Sequence, residues 1–203
     1  MKTTPPLRVL AHEDYLRLRQ GARVMEADRF GDKVLLLADG SYFKLFRRKR
    51  LLSSAAWYPY ARRFADNTRR LAQLGIPCPQ VLDLYRLPQI ERDAVHYRAL
   101  PGETIRRMVA AGIEDHQASE LRQQLRQFIA RLHDLGIYFR SCHLGNIVLT
   151  PTGELGLIDI ADLQVCRGRL GPLKRRRNYR HILRDARDRD WLAVGAEWKS
   201  LEP

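Results

Sequence analysis

The pair Asp39-Gly40 stands between two short apolar runs, residues 34–37 and residues 41–46. An aspartate-glycine pair between apolar runs is a strong signal for a β-hairpin, because both residues tolerate the positive φ angles of the tight turn. Lys44 lies within the second run. The pattern therefore predicts an early hairpin that carries a lysine on its second strand.

The other patterns follow in an order that predicts an α+β fold, with a sheet-rich first part and a helix-rich second part. Apolar spacing near the helical period predicts helices, and short apolar runs between turn residues predict strands. Helices are predicted within residues 7–20, 55–74, 104–115 and 117–135, and from residue 173 onward. Further strands are predicted at residues 81–87, 94–98, 146–149 and 155–160, whereas residues 137–138 are predicted to open a loop.

A turn signal, Leu-Pro-Gly-Glu-Thr at residues 100–104, separates the two parts and suits a hinge. The predicted first domain is residues 1–100, an antiparallel sheet with one helix. The predicted second domain is residues 101–203, which holds helices, a second hairpin and a basic C-terminal helix.

Length and composition suit a globular protein. The chain has 203 residues, 45% of them hydrophobic, and no stretch approaches the ~20 apolar residues of a membrane-spanning helix. The N-terminus carries no apolar signal core, so we expect a cytoplasmic protein. Cys78, Cys142 and Cys166 are scattered and odd in number, which suits free thiols in a reducing compartment.

A formal net charge of +13 favours anionic partners such as nucleotides, phosphorylated sugars, acidic lipids or nucleic acid. Much of this charge is clustered in two blocks, residues 47–50 and residues 174–177, and further arginines follow the second block. Such blocks are often no more than solvated surfaces. Here they favour contact with an anionic substrate or with the surface of an anionic membrane.

Three separated residues match the order of the protein-kinase signature: Lys44 on a strand, Asn146 before a short strand, and Asp159 thirteen residues later. A strand lysine offers a compact cation to the phosphates of ATP. An amide oxygen and a carboxylate are oxygen ligands that suit Mg²⁺. A tight hairpin between Asn146 and Asp159 would bring these two ligands together.

The segment at residues 132–146, Leu-His-Asp-Leu-Gly-Ile-Tyr-Phe-Arg-Ser-Cys-His-Leu-Gly-Asn, resembles the catalytic loop of the lipopolysaccharide-core kinases. That group includes the heptose and Kdo kinases and the toluene tolerance proteins. Residues 39–49 and 75–79 also resemble the toluene tolerance subgroup, and the resemblance extends over about residues 20–190.

The resemblance implies a reduced bilobal protein-kinase-like fold and ATP-dependent phosphorylation of an inner-core sugar at the inner face of the inner membrane. Lys44 would hold the phosphates of ATP, and Asn146 and Asp159 would hold Mg²⁺. The acceptor would be an anionic glycolipid or sugar, and the protein would touch the anionic membrane surface peripherally.

The chain departs from the kinase pattern at the position of the catalytic base. Ser141 stands five residues before Asn146, where a catalytic aspartate is expected, and a serine hydroxyl is not a base at neutral pH. Asp134, Asp162 and His143 are the nearby groups that offer a substitute, since a histidine accepts protons near pH 6.5. Positioning and charge neutralisation also contribute to phosphoryl transfer, so catalysis without an aspartate at residue 141 stays possible.

Two other parts of the signature are also altered. The expected phosphate loop, residues 29–33, holds a single glycine, and no glutamate stands where the partner of Lys44 is expected. On the helix predicted at residues 55–74, Asp66 is the nearest acid and Asn67 is the polar alternative.

Three functions therefore compete. The leading one is a kinase that uses ATP and Mg²⁺, with Ser141, His143 and Asp159 as catalytic candidates. The second is a pseudokinase, a nucleotide-binding scaffold for an envelope process, which Ser141 supports. The third, nucleic-acid binding, rests on charge alone and ranks well behind the other two, because the basic blocks lack interleaved aromatic residues apart from Tyr179 and no zinc-finger or RNA-binding motif occurs.

Overall fold

The computed structural model describes residues 4–48 and 58–194. The chain divides into two compact units: Met1–Arg70 with Cys78–Ala99, and Leu71–Pro77 with Leu100–Pro203. Residues 71–77 belong to the second unit because that unit bonds to their backbone: Leu157 N donates to Pro77 O at 2.9 Å and Arg131 Nη2 donates to Gly75 O at 3.0 Å.

The first unit is built on one six-stranded sheet, with the strand order β1-β5-β6-β4-β3-β2. The strands are β1 (Leu7–Val9), β2 (Arg23–Asp28), β3 (Gly31–Leu36), β4 (Tyr42–Arg47), β5 (Gln80–Leu87) and β6 (Arg92–Arg98). The helices are α1 (His12–Gln20), which follows β1, and α2 (Tyr60–Gln73), whose last turn belongs to the second unit. All strand pairs are antiparallel except β1 with β5.

Alternation along β4 gives the sheet two different faces, because successive side chains of a strand point in opposite directions. Phe43 and Leu45 are buried in a cluster that includes Tyr15 of α1. Residues 42, 44 and 46 are on the opposite face, where the Phe46 ring stacks with Tyr60 of α2 at 6.2 Å between centroids. Lys44 therefore lies on the face that α2 covers.

The second unit combines helices with two small sheets. Its helices are α3 (Ile105–Ala111), α4 (Asp115–Asp134), α5 (Pro172–Ile182) and α6 (Ala186–Ala193). One sheet has the order β10-β9-β7, and the other pairs β11 with β8. These strands are β7 (Glu103–Thr104), β8 (Ile137–Phe139), β9 (Ile147–Leu149), β10 (Leu155–Leu157) and β11 (Leu163–Val165).

The core of the second unit lies along the apolar stripe of α4. Leu125, Ile129 and Leu132 are essentially fully buried, and α4 packs on β8 and β10. The stripe follows the i, i+4, i+7 spacing of one helix face. This packing holds the β9–β10 hairpin against a long helix.

These elements confirm the predicted α+β class, with its sheet-rich first part and helix-rich second part. The hairpin at Asp39-Gly40 is confirmed, since β3 and β4 pair on either side of it. Helix α2 begins at Tyr60, and residues 55–57 of the predicted helix lie outside the described residues.

The predicted loop at residues 137–138 is wrong, because Ile137–Phe139 forms strand β8. Its partner is β11, about 26 positions away in register: Leu163 faces Phe139 and Val165 faces Ile137. A three-residue strand carries too little pattern of its own to be recognised without its partner.

Candidate active site

Lys44 occupies the middle of β4, opposite Val34 of β3 and Val95 of β6. Its side chain is half-buried, and Nζ lies 5.8 Å from the centre of the Phe46 ring. The structure thus places the lysine on a central strand, where both neighbouring strands fix its backbone.

Asp66, the acid predicted to pair with Lys44, binds other groups of the first unit. Its carboxylate accepts hydrogen bonds from Thr4 Oγ1 at 2.7 Å and Tyr58 OH at 2.8 Å, and Arg62 Nε lies 3.5 Å away. Burial works against ionisation, but these hydrogen bonds and the Arg62 charge outweigh it and lower the pKa of Asp66. These contacts give Asp66 a local structural role, and its pairing with Lys44 stays a prediction.

Asn67, the alternative to Asp66, is almost completely buried. It lies on the same stripe of α2 as Phe64, Thr68 and Leu71, which are also buried and share the i, i+3, i+4, i+7 face of a helix. Of the two alternatives, only Asn67 is therefore on the buried face of α2.

Asn146 and Asp159 come together because they lie at matching ends of paired strands. Ile147 of β9 faces Leu157 of β10, so Asn146 immediately precedes the pairing and Asp159 follows it. A hydrogen bond from Ile158 N to Asn146 O, at 3.0 Å, extends the pairing by one step. The hairpin thus places both residues at the same end, and the meeting of their amide and carboxylate groups around one cation stays a prediction.

The orientation of the Asn146 amide follows from its hydrogen bonds. Nδ2 donates to the backbone carbonyl of Ser141 at 2.9 Å and lies 3.3 Å from His143 Nε2. A carbonyl is only an acceptor, so the amide nitrogen must face it. The opposite atom, Oδ1, is the one that suits a cation.

Asp159 has φ 52° and ψ 44°, which is the left-handed region. A residue other than glycine adopts this conformation at a cost of about 1 kcal/mol or more, and such residues concentrate at functional sites. The side chain is exposed and stands at the start of the short 3₁₀ turn Ile160–Asp162. The backbone of the hairpin end is therefore shaped to present this carboxylate.

His143 lies beside the same loop. Because Asn146 Nδ2 is a donor, His143 Nε2 is the accepting nitrogen and Nδ1 carries the proton in the neutral ring. Nδ1 is buried and has no hydrogen-bond partner among the described residues. Burial first, and then the charge of Arg106, lower the pKa of His143, so the ring is neutral at pH 7.

Ser141 forms a short contact with a carboxylate. Its Oγ donates to Asp162 Oδ2 at 2.7 Å, and Asp162 Oδ1 is buried with no hydrogen-bond partner among the described residues. Asp134, the other carboxylate suggested as a substitute base, is exposed at the end of α4 and accepts from Arg175 at 2.6 Å and Arg169 at 3.1 Å. Of these two carboxylates, the one beside Ser141 is Asp162.

Sequence reasoning missed Asp188, which supports the loop from α6. Asp188 is 2% exposed and accepts two hydrogen bonds from Arg106, from Nε at 3.0 Å and from Nη2 at 2.7 Å. Its Oδ2 also accepts from Leu144 N at 2.9 Å. Asp188 stands in a run of alternating arginines and aspartates, so no signal in the sequence set it apart from surface charge.

The side-chain oxygens of Asn146 and Asp159 suit a Mg²⁺ ion whose other ligands come from phosphate groups and water. Mg²⁺ is usually held by one or two protein oxygens together with substrate phosphates and water. Asn146 and Asp159 supply such a pair. Within residues 4–48 and 58–194 no cluster of three or more His, Cys, Asp or Glu side chains is arranged to hold a metal.

Three arginines lie near His181, whose ring is beside Tyr138 of β8. Arg140, Arg177 and Arg184 are exposed, and His181 lies among them, with Nε2 3.3 Å from Tyr138 OH. Burial and these three arginines lower the pKa of His181. We call Arg140, Arg177, His181 and Arg184 the basic cluster.

Solved structures that are similar to this chain include two of one enzyme. Two structures of the bifunctional kinase-methyltransferase WbdD are similar, one of them with the kinase inhibitor LY294002, with TM-scores of 0.45 and 0.41. In both, identity is 19%, and the match covers 66% of this chain and 30% of WbdD. That likeness is too distant to give any residue a role, and the chain spans less than a third of WbdD.

No curated protein sequence matches the chain. The family model described as APH, phosphotransferase enzyme family, does match, over residues 32–140. That segment is more than half of the chain and contains most of β3, all of β4 and the start of the loop that leads to Asn146. The chain therefore belongs to the APH phosphotransferase enzyme family, within the protein-kinase-like superfamily.

Proposed function

We propose that this protein is an ATP-dependent kinase that phosphorylates a hydroxyl group of a lipopolysaccharide-core sugar or a similar anionic glycolipid. The observation that carries the proposal is the pairing of β9 with β10, which holds Asn146 and Asp159 at one end of a hairpin. Membership of a phosphotransferase family supports the reaction class.

Each proposed role follows from the chemistry of the side chain. Lys44 binds the phosphates of ATP, because an ammonium group on a central strand is a fixed point charge. Asn146 Oδ1 and the Asp159 carboxylate hold Mg²⁺. When bound, Mg²⁺ neutralises charge on the transferring phosphate group.

The loop that carries Asn146 is held in place by Asp188 and Arg106. Asp188 binds the backbone at Leu144, and Arg106 binds Asp188 through two parallel hydrogen bonds. Parallel bonds between a guanidinium and a carboxylate fix geometry as well as adding energy. A site that relies on positioning, as phosphoryl transfer does, needs such support.

The acceptor class follows from charge. The arginines of the basic cluster lie around His181, beside Tyr138 of β8, and three further cationic residues, Lys174, Arg175 and Arg176, lie in the first turns of α5. An acceptor with phosphate or carboxylate groups beside its hydroxyl suits this surface. No helix among the described residues is long and apolar enough to span a bilayer. Because the exposed arginines suit an anionic surface, we propose that the protein reaches a glycolipid from the cytoplasm by peripheral contact with the inner membrane.

The test is transfer of radiolabelled phosphate from Mg-ATP to purified lipopolysaccharide core. Asp159→Asn should reduce transfer by at least 10²-fold, because it removes a charged metal ligand while keeping its size. Asp190→Asn is the matched control, since Asp190 is 71% exposed and forms an ion pair with its neighbour Arg189. Equal activity of the Asp159→Asn variant and the wild type would rule out the proposed mechanism.

The second candidate function is a pseudokinase, and Ser141 is the residue that favours it. A pseudokinase would bind ATP, seen as a thermal shift with ATP and Mg²⁺, yet transfer no phosphate to lipopolysaccharide core or to water. Turnover by the wild-type protein would exclude this alternative.

A further inference from the structure

A half-buried carboxylate, with its Oδ1 atom fully buried, lies beside the position where the kinase pattern lacks an aspartate. Ser141 is at the position of the missing aspartate, and its Oγ lies 2.7 Å from Asp162 Oδ2. Twenty-one residues separate the two in sequence, and the β8–β11 pairing together with the 3₁₀ turn Ile160–Asp162 brings them together.

The hydrogen bond between them has a fixed direction. An ionised carboxylate only accepts, so the hydroxyl hydrogen of Ser141 points at Asp162 and the lone pairs of Oγ point elsewhere. Oγ belongs to a half-buried residue that is part of the same loop as Asn146. A hydroxyl group of an acceptor can therefore donate to Ser141 Oγ without disturbing its bond to Asp162.

Building on the proposed function, we propose that Ser141 and Asp162 together replace the missing aspartate: Ser141 Oγ takes the proton of the attacking hydroxyl while passing its own proton to Asp162. Ser141 is the catalytic residue that touches the acceptor. Asp162 acts through it as the positioning residue and the final proton acceptor.

The step balances in atoms and charge. The acceptor oxygen forms a bond to the γ-phosphorus of ATP, and the bond between that phosphorus and the oxygen bridging to the β-phosphate breaks, so ADP leaves. The acceptor proton moves to Ser141 Oγ, and the original Ser141 proton moves to Asp162 Oδ2. The products are the phosphorylated acceptor, ADP and a protonated Asp162, which returns its proton to water afterwards.

The environment of Asp162 suits a proton acceptor. Its Oδ1 is buried and has no hydrogen-bond donor among the described residues, so the anion is incompletely stabilised. Burial raises the pKa of Asp162 above its usual value, the Ser141 hydrogen bond opposes the rise, and the negative charge of Asp159 adds to it. Arg140 opposes the rise as well.

The negative charge of Asp162 also acts on two other groups, Cys142 and His181. Its charge contributes to raising the pKa of the buried Cys142 thiol to about 12 and partly offsets the lowered pKa of His181. Both groups are thus uncharged at neutral pH, whereas Asp159 and Arg140 are the charged groups that act on Asp162 among the described residues.

The other groups suggested as substitute bases are less suitable. The Asp134 carboxylate is bound by Arg175 and Arg169, whose hydrogen bonds and charges lower its pKa and make it a weaker base. The accepting nitrogen of His143, Nε2, already faces the Asn146 amide. Neither group contacts Ser141 Oγ, whereas Asp162 does.

The experiment measures the pH profile of kcat for phosphoryl transfer from Mg-ATP to lipopolysaccharide core and to water. Asp162→Asn should lower kcat by about 10²-fold, in the lower part of the range for removal of a general base, with little change in KM for ATP. The wild-type rate should fall as pH decreases through the pKa of Asp162, because the protonated carboxyl accepts no proton. This acidic limb should be absent in Asp162→Asn.

A relocated carboxylate provides a second, independent readout. The double variant Ser141→Asp/Asp162→Asn places an acid directly at residue 141 without a second carboxylate beside it, and it should recover at least tenfold of the kcat lost in Asp162→Asn. Asp134→Asn is the matched control, since it removes an exposed carboxylate of the same unit, and its kcat should equal that of the wild type. Calorimetric titration with Mg-ATP and circular dichroism confirm that each variant binds nucleotide and is folded.

The outcomes separate this inference from the proposed function. If the wild type transfers phosphate but Asp162→Asn keeps both its rate and its acidic limb, the inference is wrong and the kinase assignment stands. If Asp162→Asn is slow and the double variant is no faster, the carboxylate acts structurally and the inference is wrong again. If the wild type binds Mg-ATP and transfers no phosphate to either acceptor, the proposed function and the inference fail together.

Discussion

Removing the Asp188 carboxylate should destabilise the second unit strongly, because this side chain completes a buried network. Asp188 is 2% exposed and accepts three hydrogen bonds, two from Arg106 and one from Leu144 N. Breaking one side of a buried ion pair costs ~3–5 kcal/mol. Leaving a buried backbone N–H without an acceptor costs ~1–3 kcal/mol.

Three features reduce the total for Asp188→Ala. Arg106 is 35% exposed and keeps Asp185 at 3.2 Å, so its guanidinium retains water and one anionic partner. Alanine also favours the helical conformation more than aspartate does, by several tenths of a kcal/mol. We therefore expect Asp188→Ala to lower the free energy of unfolding by about 3 kcal/mol. Asp188→Asn should cost about 2 kcal/mol, because the amide oxygen can still accept from Leu144 N.

The measurement is urea denaturation followed by circular dichroism, with thermal denaturation as a second method. Asp190→Ala is the control: the same residue type on the same helix α6, 71% exposed, and expected to change stability by no more than ~0.5 kcal/mol. If Asp188→Ala and Asp190→Ala are equally stable, Asp188 does not support the loop and the reasoning fails.

Other substitutions test other parts of the fold. Gly136→Ala should lower the melting temperature by several degrees, because a Cβ at this position, where φ is +75°, would lie 2.2 Å from Gly168 O. Gly168→Ala is the control: φ is also +75° there, but no atom lies within 4 Å of the added Cβ, so the melting temperature should fall clearly less. Equal melting temperatures of the two variants would contradict this reasoning. Phe43→Ala should lower the free energy of unfolding of the first unit by ~3–5 kcal/mol, since the ring is fully buried. An unchanged free energy of unfolding in urea denaturation would contradict this expectation. His133 is fully buried, and its Nε2 lies 2.8 Å from Asn178 Oδ1. Burial lowers the pKa of His133, so at mildly acidic pH the unfolded chain binds a proton at this residue and the folded protein does not. Stability should therefore decrease as pH falls below about 6.5, and His133→Gln should weaken this dependence, whereas an unchanged pH profile would refute it.

Local patterns made part of the candidate site predictable. The turn between β3 and β4 fixed the strand position of Lys44, and the turn between β9 and β10 is what brings Asn146 and Asp159 to one end of a hairpin. In both cases the sequence carries the information within about twenty residues. The catalytic roles of these three residues stay predictions until activity is measured.

The choice between Asp66 and Asn67 shows where local patterns stop being informative. Adjacent helix residues differ by about 100° in direction, so the helix prediction alone did not say which of the two is buried. The structure buries Asn67 and leaves the Asp66 carboxylate with Thr4 and Tyr58. Thr4 lies 62 residues from Asp66 in the sequence, so the periodicity of the helix carries no information about this contact.

What the amino-acid sequence determined by itself was the α+β class, the two hairpins and the order of the kinase-like residues, because turn residues and apolar periodicity act over short distances. Only the tertiary structure decided that Asp162 bonds to Ser141 and that Asp188 holds the backbone at Leu144. These pairs are 21 and 44 residues apart, and each requires two elements to pack in one particular way. In a chain with so many aspartates and arginines, a buried carboxylate has the same sequence signature as a solvated one, so burial itself, set by long-range packing, makes the difference.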